Sequence, residues 1–321
     1  MSKKTITKNF SFVILTISFC GLFSGCFSIS SSPSANDNRA DGNVSTRYGK
    51  AKIVGVIKTA EVTESSGIAA SKCQPDVFWT HNDSDGGAFI FAVNSKGEKL
   101  GTWEVGNSRN TDWEDIAAQK NAAGECFLYI GDIGDNKRAR ESVTVFRVPE
   151  PAVSAADKTS NEKTPRYAES IEPIRFRYPD GSHDAETLLA HPQTGDLYIL
   201  TKRLRGAASV FKLSKNYTPK RINRLEKIAE FSVPAVPNGF LTGGDISPDG
   251  GRVVLCDYFS AYEIVLPEAA KNFDDIWREN PLIVELGERE QGEAVCYAAD
   301  GAAIYATSEN ANSPIIKVRR K

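Results

Sequence analysis

One pattern of apolar and polar positions recurs along this chain. A polar or acidic residue opens a short apolar run, turn residues follow, and a second β-prone run ends on a polar pair. It is plainest from Glu186: Leu188 and Leu189, then Pro192 to Asp196, then Tyr198 and Ile199, then Thr201-Lys202. Four more copies start at Ser66, Glu114, Gly244 and Glu293, with starts about 48 to 72 residues apart. Each reads as two short antiparallel strands around a turn, and the spacing is close to that of propeller repeats with loop insertions.

Further β-prone runs follow each copy, at 88–93 and 99–105, 142–148 and 172–178, 209–213 and 227–233, and 261–266 and 282–286. The last copy has one such run, 315–318, before the chain ends. The missing partner is at the other terminus, at 51–57. The chain is therefore predicted to be all-β, a five-bladed β-propeller whose ring is closed by the N-terminal strand, which removes free sheet edges. The polar segment 149–170 is read as a loop. A degenerate unit there would make six blades the alternative. Residues 268–280 are the one helix-like insert, with Phe273, Ile276 and Trp277 at helical spacing.

The first residues lie outside this pattern. Lys3, Lys4 and Lys8 precede an apolar run from Phe10 to Phe23, too short for a bilayer core of ~30 Å. This is the layout of a secretory signal peptide over residues 1–25. Residues 26–50 are rich in Ser, Asn, Asp and Gly and are expected to be a flexible tether, leaving 51–321 as the propeller domain. The net charge of −2 comes from well-mixed signs, and no long basic stretch points to nucleic acid. A monomer is expected. Besides Cys26 the mature chain keeps Cys73, Cys126, Cys256 and Cys296. Cys73 and Cys126 occupy the same turn of adjacent copies and are candidates for a disulfide. Cys256 and Cys296 lie within apolar runs and read as buried thiols.

Propeller geometry puts copy starts and second-strand ends on one face. Copy starts supply Glu114, Glu186 and Glu293, with Asp115 and Asp245 one residue on and Glu64, Asp112 and Asp184 just upstream. A ring of carboxylates repels itself unless a cation compensates. The donors are oxygens, so Ca2+ is expected, with Mg2+ as the alternative. Glu114, Glu186, Asp245 and Glu293 are the candidate ligands. Acids that open each repeat can instead be structural, bonding to the neighbouring blade. Second-strand ends and the residues after them give ligand-binding candidates: Asn82, Asp83, Asp132, Lys202, Arg203, Asp257 and Glu309. His81 and His183 fall on this face and, with Glu186, are the catalytic candidates if the site is hydrolytic. His191, before Pro192, reads as a surface residue of the opposite face, and the three histidines lack zinc-motif spacing. No nucleophile elbow or phosphate-binding glycine loop is present.

Leu22-Phe23-Ser24-Gly25-Cys26 resembles the bacterial lipobox, which implies cleavage before Cys26, a diacylglycerol thioether on its sulfur and an acylated N-terminus. Phe23 departs from the usual Leu or Ala. Multiple acyl chains would give a stable membrane anchor. Phe27 after the cysteine, rather than Asp, favours the outer membrane in a Gram-negative host, with the domain in the periplasm or outside the cell. The phrases Ser66-Gly-Ile-Ala, His81-Asn-Asp-Ser84, Asp112-Trp-Glu-Asp-Ile-Ala117, Gly131-Asp-Ile-Gly-Asp-Asn136, His183-Asp-Ala-Glu186, Gly244-Asp-Ile-Ser-Pro-Asp-Gly250 and Gln291-Gly-Glu-Ala294 resemble secreted bacterial propeller proteins, NHL- or YVTN-like and often lipoproteins. That resemblance implies the fold and the acidic face and brings no single activity. The layout is also similar to five-bladed calcium-dependent apyrases, without a motif that carries residues over. Two functions are therefore expected: a lipid-anchored propeller holding a cation and a small or extended ligand, or a metal-dependent phosphoester or ester hydrolase.

Overall fold

The computed structural model describes residues 43–84, 87–106 and 108–321. The expected signal peptide, Cys26 and most of the expected tether lie outside the described residues. No helix among the described residues is long and apolar enough to cross a membrane.

The first strand, β1 (Lys52–Val56), belongs to the last sheet. Blade 1 is built from β2 (Ser65–Ala70), β3 (Phe78–Asn82), β4 (Phe89–Val93) and β5 (Lys99–Glu104). Blade 2 follows with β6 (Trp113–Lys120), β7 (Cys126–Asp132) and β8 (Val143–Pro149). The chain then returns to lay the short β9 (Arg166–Tyr167) parallel to β5, before β10 (Glu172–Arg177) completes blade 2. Blade 3 comprises β11 (Ala185–Ala190), β12 (Leu197–Thr201) and β13 (Ala208–Leu213); β14 (Asn223–Arg224) pairs beside β10, and β15 (Glu226–Phe231) closes the blade. Blade 4 is β16 (Gly243–Ile246), β17 (Arg252–Cys256), β18 (Ser260–Val265) and β19 (Leu282–Glu285). Blade 5 is β20 (Val295–Tyr297), β21 (Ala303–Ala306) and β22 (Pro314–Arg319), with β1 antiparallel to β22 as its outer strand. The inner strands β2, β6, β11, β16 and β20 neighbour one another in a closed circle. The fold is a five-bladed β-propeller, and the N-terminal strand closes it.

Alternating strand faces turn each blade's apolar residues toward its neighbours. The core is accordingly five layers, one per seam. Trp79, Ile90 and Trp113 lie in the seam of blades 1 and 2, Tyr198 and Tyr262 in that of blades 3 and 4, and Tyr297 in that of blades 4 and 5. These aromatics are fully or nearly fully buried, and each contributes about 1.5–3 kcal/mol over an exposed position.

The six-blade alternative is excluded, and two expectations are modified. Residues 149–170 form no sixth blade. They strap the outer edge of blade 1, where Ser160 Oγ accepts from Thr102 N at 2.8 Å and Ala168 N donates to Glu104 O at 2.9 Å. The 268–280 insert is a 3-10 turn at Phe273–Arg278, with Phe273, Ile276 and Trp277 buried. The folded part also begins before Ala51. Ile283 N donates to Asn43 O, Ser45 N donates to Ile283 O, and Tyr48 is buried with its hydroxyl on Glu263 at 2.5 Å. Cys73 and Cys126 are joined as a disulfide between the turns of blades 1 and 2, S–S 2.09 Å. Cys256 and Cys296 are free and buried.

Candidate metal centre

Three glutamates reach the channel mouth from the starts of inner strands. In blades 2 and 3 a local irregularity aims them. Pairing between β6 and β7 skips a residue between Trp113 and Asp115, and pairing between β11 and β12 skips between Ala185 and Thr187. The residues left out of register are Glu114 and Glu186. A bulge of this kind turns a side chain out of the regular alternation. Blade 1 has the same irregularity at Ser66, whose hydroxyl donates to Glu114 O at 2.7 Å.

Glu114 joins two groups of carboxylates. One is Asp83, Asp112 and Glu114; the other is Glu114, Asp184 and Glu186. In each, ligand oxygens from all three residues lie within 4.8 Å of one another. Glu114 is only 3% exposed. Burial and the charges of Glu186, Asp83 and Asp112 push its carboxyl well up, and among the described residues no hydrogen-bond donor reaches it. Asp112 is raised to about 6 by burial and by Asp83 and Asp184. Glu309 is pushed up by burial and by its contact with Glu293. The backbone at Gly134 passes tightly over the first group: a Cβ there would strike Glu114 Oε1 and lie 2.5 Å from Asp112 Oδ2. A larger residue there would force Glu114 and Asp112 to move.

Lys202 is the cation of the mouth. Its Nζ lies 2.6 Å from Glu186, above the rings of Phe240 and Tyr258 at 4.7 and 5.2 Å from their centroids. Burial works against this ammonium, but Glu186 and Glu293 more than offset it and hold it charged. Arg140 sits to one side, 2.9 Å from Asp132 Oδ1.

Several predicted site residues do other work. Asp245 is not at the mouth. Its carboxylate accepts from Ile246 N at 2.8 Å and from Tyr297 N of the next blade at 3.0 Å, with Lys72 at 3.6 Å. Asp115 makes the equivalent bond to Leu188 N between blades 2 and 3. These acids clip blades together, so Asp245 is removed from the ligand set. Three second-strand ends are brackets as well. Asn82 accepts from Thr63 N and Glu64 N, Asp132 from Asp112 N, and Asp257 from Phe259 N and Ser260 N. The residues one further on, Asp83, Lys202, Tyr258 and Glu309, are the ones that act on one another and on the glutamates at the mouth. Arg203 N donates to Gly239 O at 2.8 Å.

Neither histidine candidate serves the mouth. His81 is 0% exposed, edge-on to Trp113, with Nδ1 3.0 Å from Asn82 O; burial lowers it to about 4, so it stays neutral. His183 is drawn aside to Asp180 at 2.8 Å and packs against Tyr178 and Phe211. His191 is buried rather than on the surface, 4.4 Å from the Phe273 ring, with Nδ1 accepting Thr194 N. Phe240, beside Lys202, had no signal in the sequence because it lies in an irregular segment outside the repeat.

No protein-family model and no curated protein matches the chain. Among solved structures it is similar to a gluconolactonase from Xanthomonas campestris described as important in glucose secondary metabolic pathways. Identity is 12% and the TM-score 0.43, over 85% of this chain and 98% of that one. A likeness at that level does not bear on activity.

Proposed function

We propose that the acidic mouth binds a divalent cation, Ca2+ in preference to Mg2+, and that cation and Lys202 together hold an anionic or hydroxylated ligand. The observation that carries this is Glu114, a buried carboxylate shared by two groups of acids with no protein donor among the described residues. Such a group is either protonated or balanced by a cation. Asp83, Asp112 and Glu114 are the favoured ligands, because Glu186 in the other group already has Lys202. Flexible all-oxygen coordination suits Ca2+; Mg2+ demands a tighter octahedron.

A second reading, a metal-dependent phosphoester or ester hydrolase, draws on Lys202. A lone ammonium beside a metal can stabilise the charge that develops on a cleaved ester. His81 and His183 are not part of that machinery. In either case the protein is proposed to be a monomer, exported and lipid-anchored through Cys26, on the strength of the lipobox-like sequence.

The test is elemental analysis and thermal melting of the purified protein with and without a chelator. Calcium should raise the melting temperature, and Glu114→Gln should abolish that rise. No metal and no shift would remove the cation. A substrate panel with calcium, run beside Lys202→Met, then separates enzyme from binder: turnover lost in the variant supports hydrolysis.

A further inference from the structure

A second recess lies on the opposite face from the acidic mouth, in the seam of blades 5 and 1. It encloses about 510 Å³, within the ~300–1,000 Å³ of small-molecule sites. Its floor is apolar. Phe78 and Tyr305 meet there with ring centroids 4.7 Å apart. Its rim is basic, formed by Lys317, Arg319 and Arg320, and Lys317 Nζ stands 4.9 Å from the Tyr305 centroid.

The wall also carries two acids, each held through one oxygen by a backbone N–H. Asp76 Oδ1 accepts Ser95 N at 3.0 Å, and Asp300 Oδ1 accepts Ala302 N at 2.9 Å. Among the described residues, no carboxylate lies within ion-pair distance of the three cations.

An independent observation comes from the sheet. Lys52 of β1 is the direct cross-strand partner of Lys317. Like charges directly opposite destabilise an antiparallel pair. Folding gains nothing from this pair, whereas an anion in the recess would relieve it.

We infer that the recess binds a small organic anion. A carboxylate, sulfonate or phosphate sits between Lys317 and Arg319, and a flat apolar body attached to it lies over Phe78 and Tyr305. The site shares no residue with the acidic mouth and needs no metal there.

The probe is 1-anilinonaphthalene-8-sulfonate, which joins a sulfonate to a flat aromatic body and fluoresces when desolvated. Titration into the folded protein should saturate at one equivalent and weaken with salt. The double variant Lys317→Glu/Arg319→Glu should bind at least about tenfold more weakly. It should melt no lower than the unaltered protein, because Lys317→Glu turns the clash with Lys52 into an attractive pair. If the double variant fails to fold, Lys317→Gln is the substitute and must weaken binding in the same direction. Unchanged affinity in a folded variant, or no saturable, salt-sensitive binding to the unaltered protein, would overturn the proposal.

Discussion

Lys202 donates to Glu186 at 2.6 Å across the end of one hairpin, and both side chains are largely buried. Removing one partner leaves the other as an uncompensated charge. Lys202→Met should lower the unfolding free energy by about 3 kcal/mol in chelator, read by urea titration. Calcium should recover part of that loss, since a cation nearby restores the balance around Glu186. An unchanged urea midpoint would mean that Glu186 is neutral in the folded protein.

The mouth also sets how stability depends on pH. Asp112 rises from its ordinary 3.8 to about 6 on folding, through burial and its acidic neighbours. The folded state then binds the proton more tightly than the unfolded chain, so this stability is full below about pH 4 and is lost as pH rises through about 6. Metal-free protein should therefore be more stable at pH 5 than at pH 7. With calcium bound the trend should flatten or reverse, because the cation needs ionised carboxylates. Urea titrations at both pH values, with calcium or chelator, read this directly, and identical slopes in the two buffers would count against a cation site.

The disulfide between Cys73 and Cys126 closes a loop with a sequence separation of 53 across two blades. Closing a loop of this length restricts the unfolded chain by about 2–4 kcal/mol. Cys73→Ser/Cys126→Ser should lose that amount by calorimetry, and a reductant should lower the melting temperature of the unaltered protein but not of the variant.

Tyr48 supplies another local lock. Glu263 is fully buried and accepts from the Tyr48 and Tyr297 hydroxyls, with Arg252 at 3.4 Å. Tyr48→Phe removes one of these donors and should cost about 1–3 kcal/mol by urea titration. Were residues up to 50 only a tether, the substitution would be silent.

The fold was legible because one unit recurs and one copy lacks a strand that the other terminus supplies. Such a repeat reports the architecture even where individual strands are ambiguous. The site was legible only in outline. Glu114 and Asp115 are adjacent acids, yet one faces the mouth and the other grips the next blade. What separates them is a break in strand register at Glu114, and composition does not encode it. Asp245 lies in unbroken register on β16 and, like Asp115, grips the next blade, here through Tyr297 N. The histidines misled because a mobile general base and a buried packing residue share one letter; burial against Trp113, invisible in the sequence, decides for His81.

Closure of blade 5 has a consequence for how the molecule is made. β1 is made long before β22, its ladder partner among the described residues. Until then neither edge of β1 has a strand partner, and Ile53, 66% exposed even in the finished protein, lies in that strand. An unpaired apolar edge of this kind recruits other chains. The nascent protein thus carries a sticky end until β22 is made.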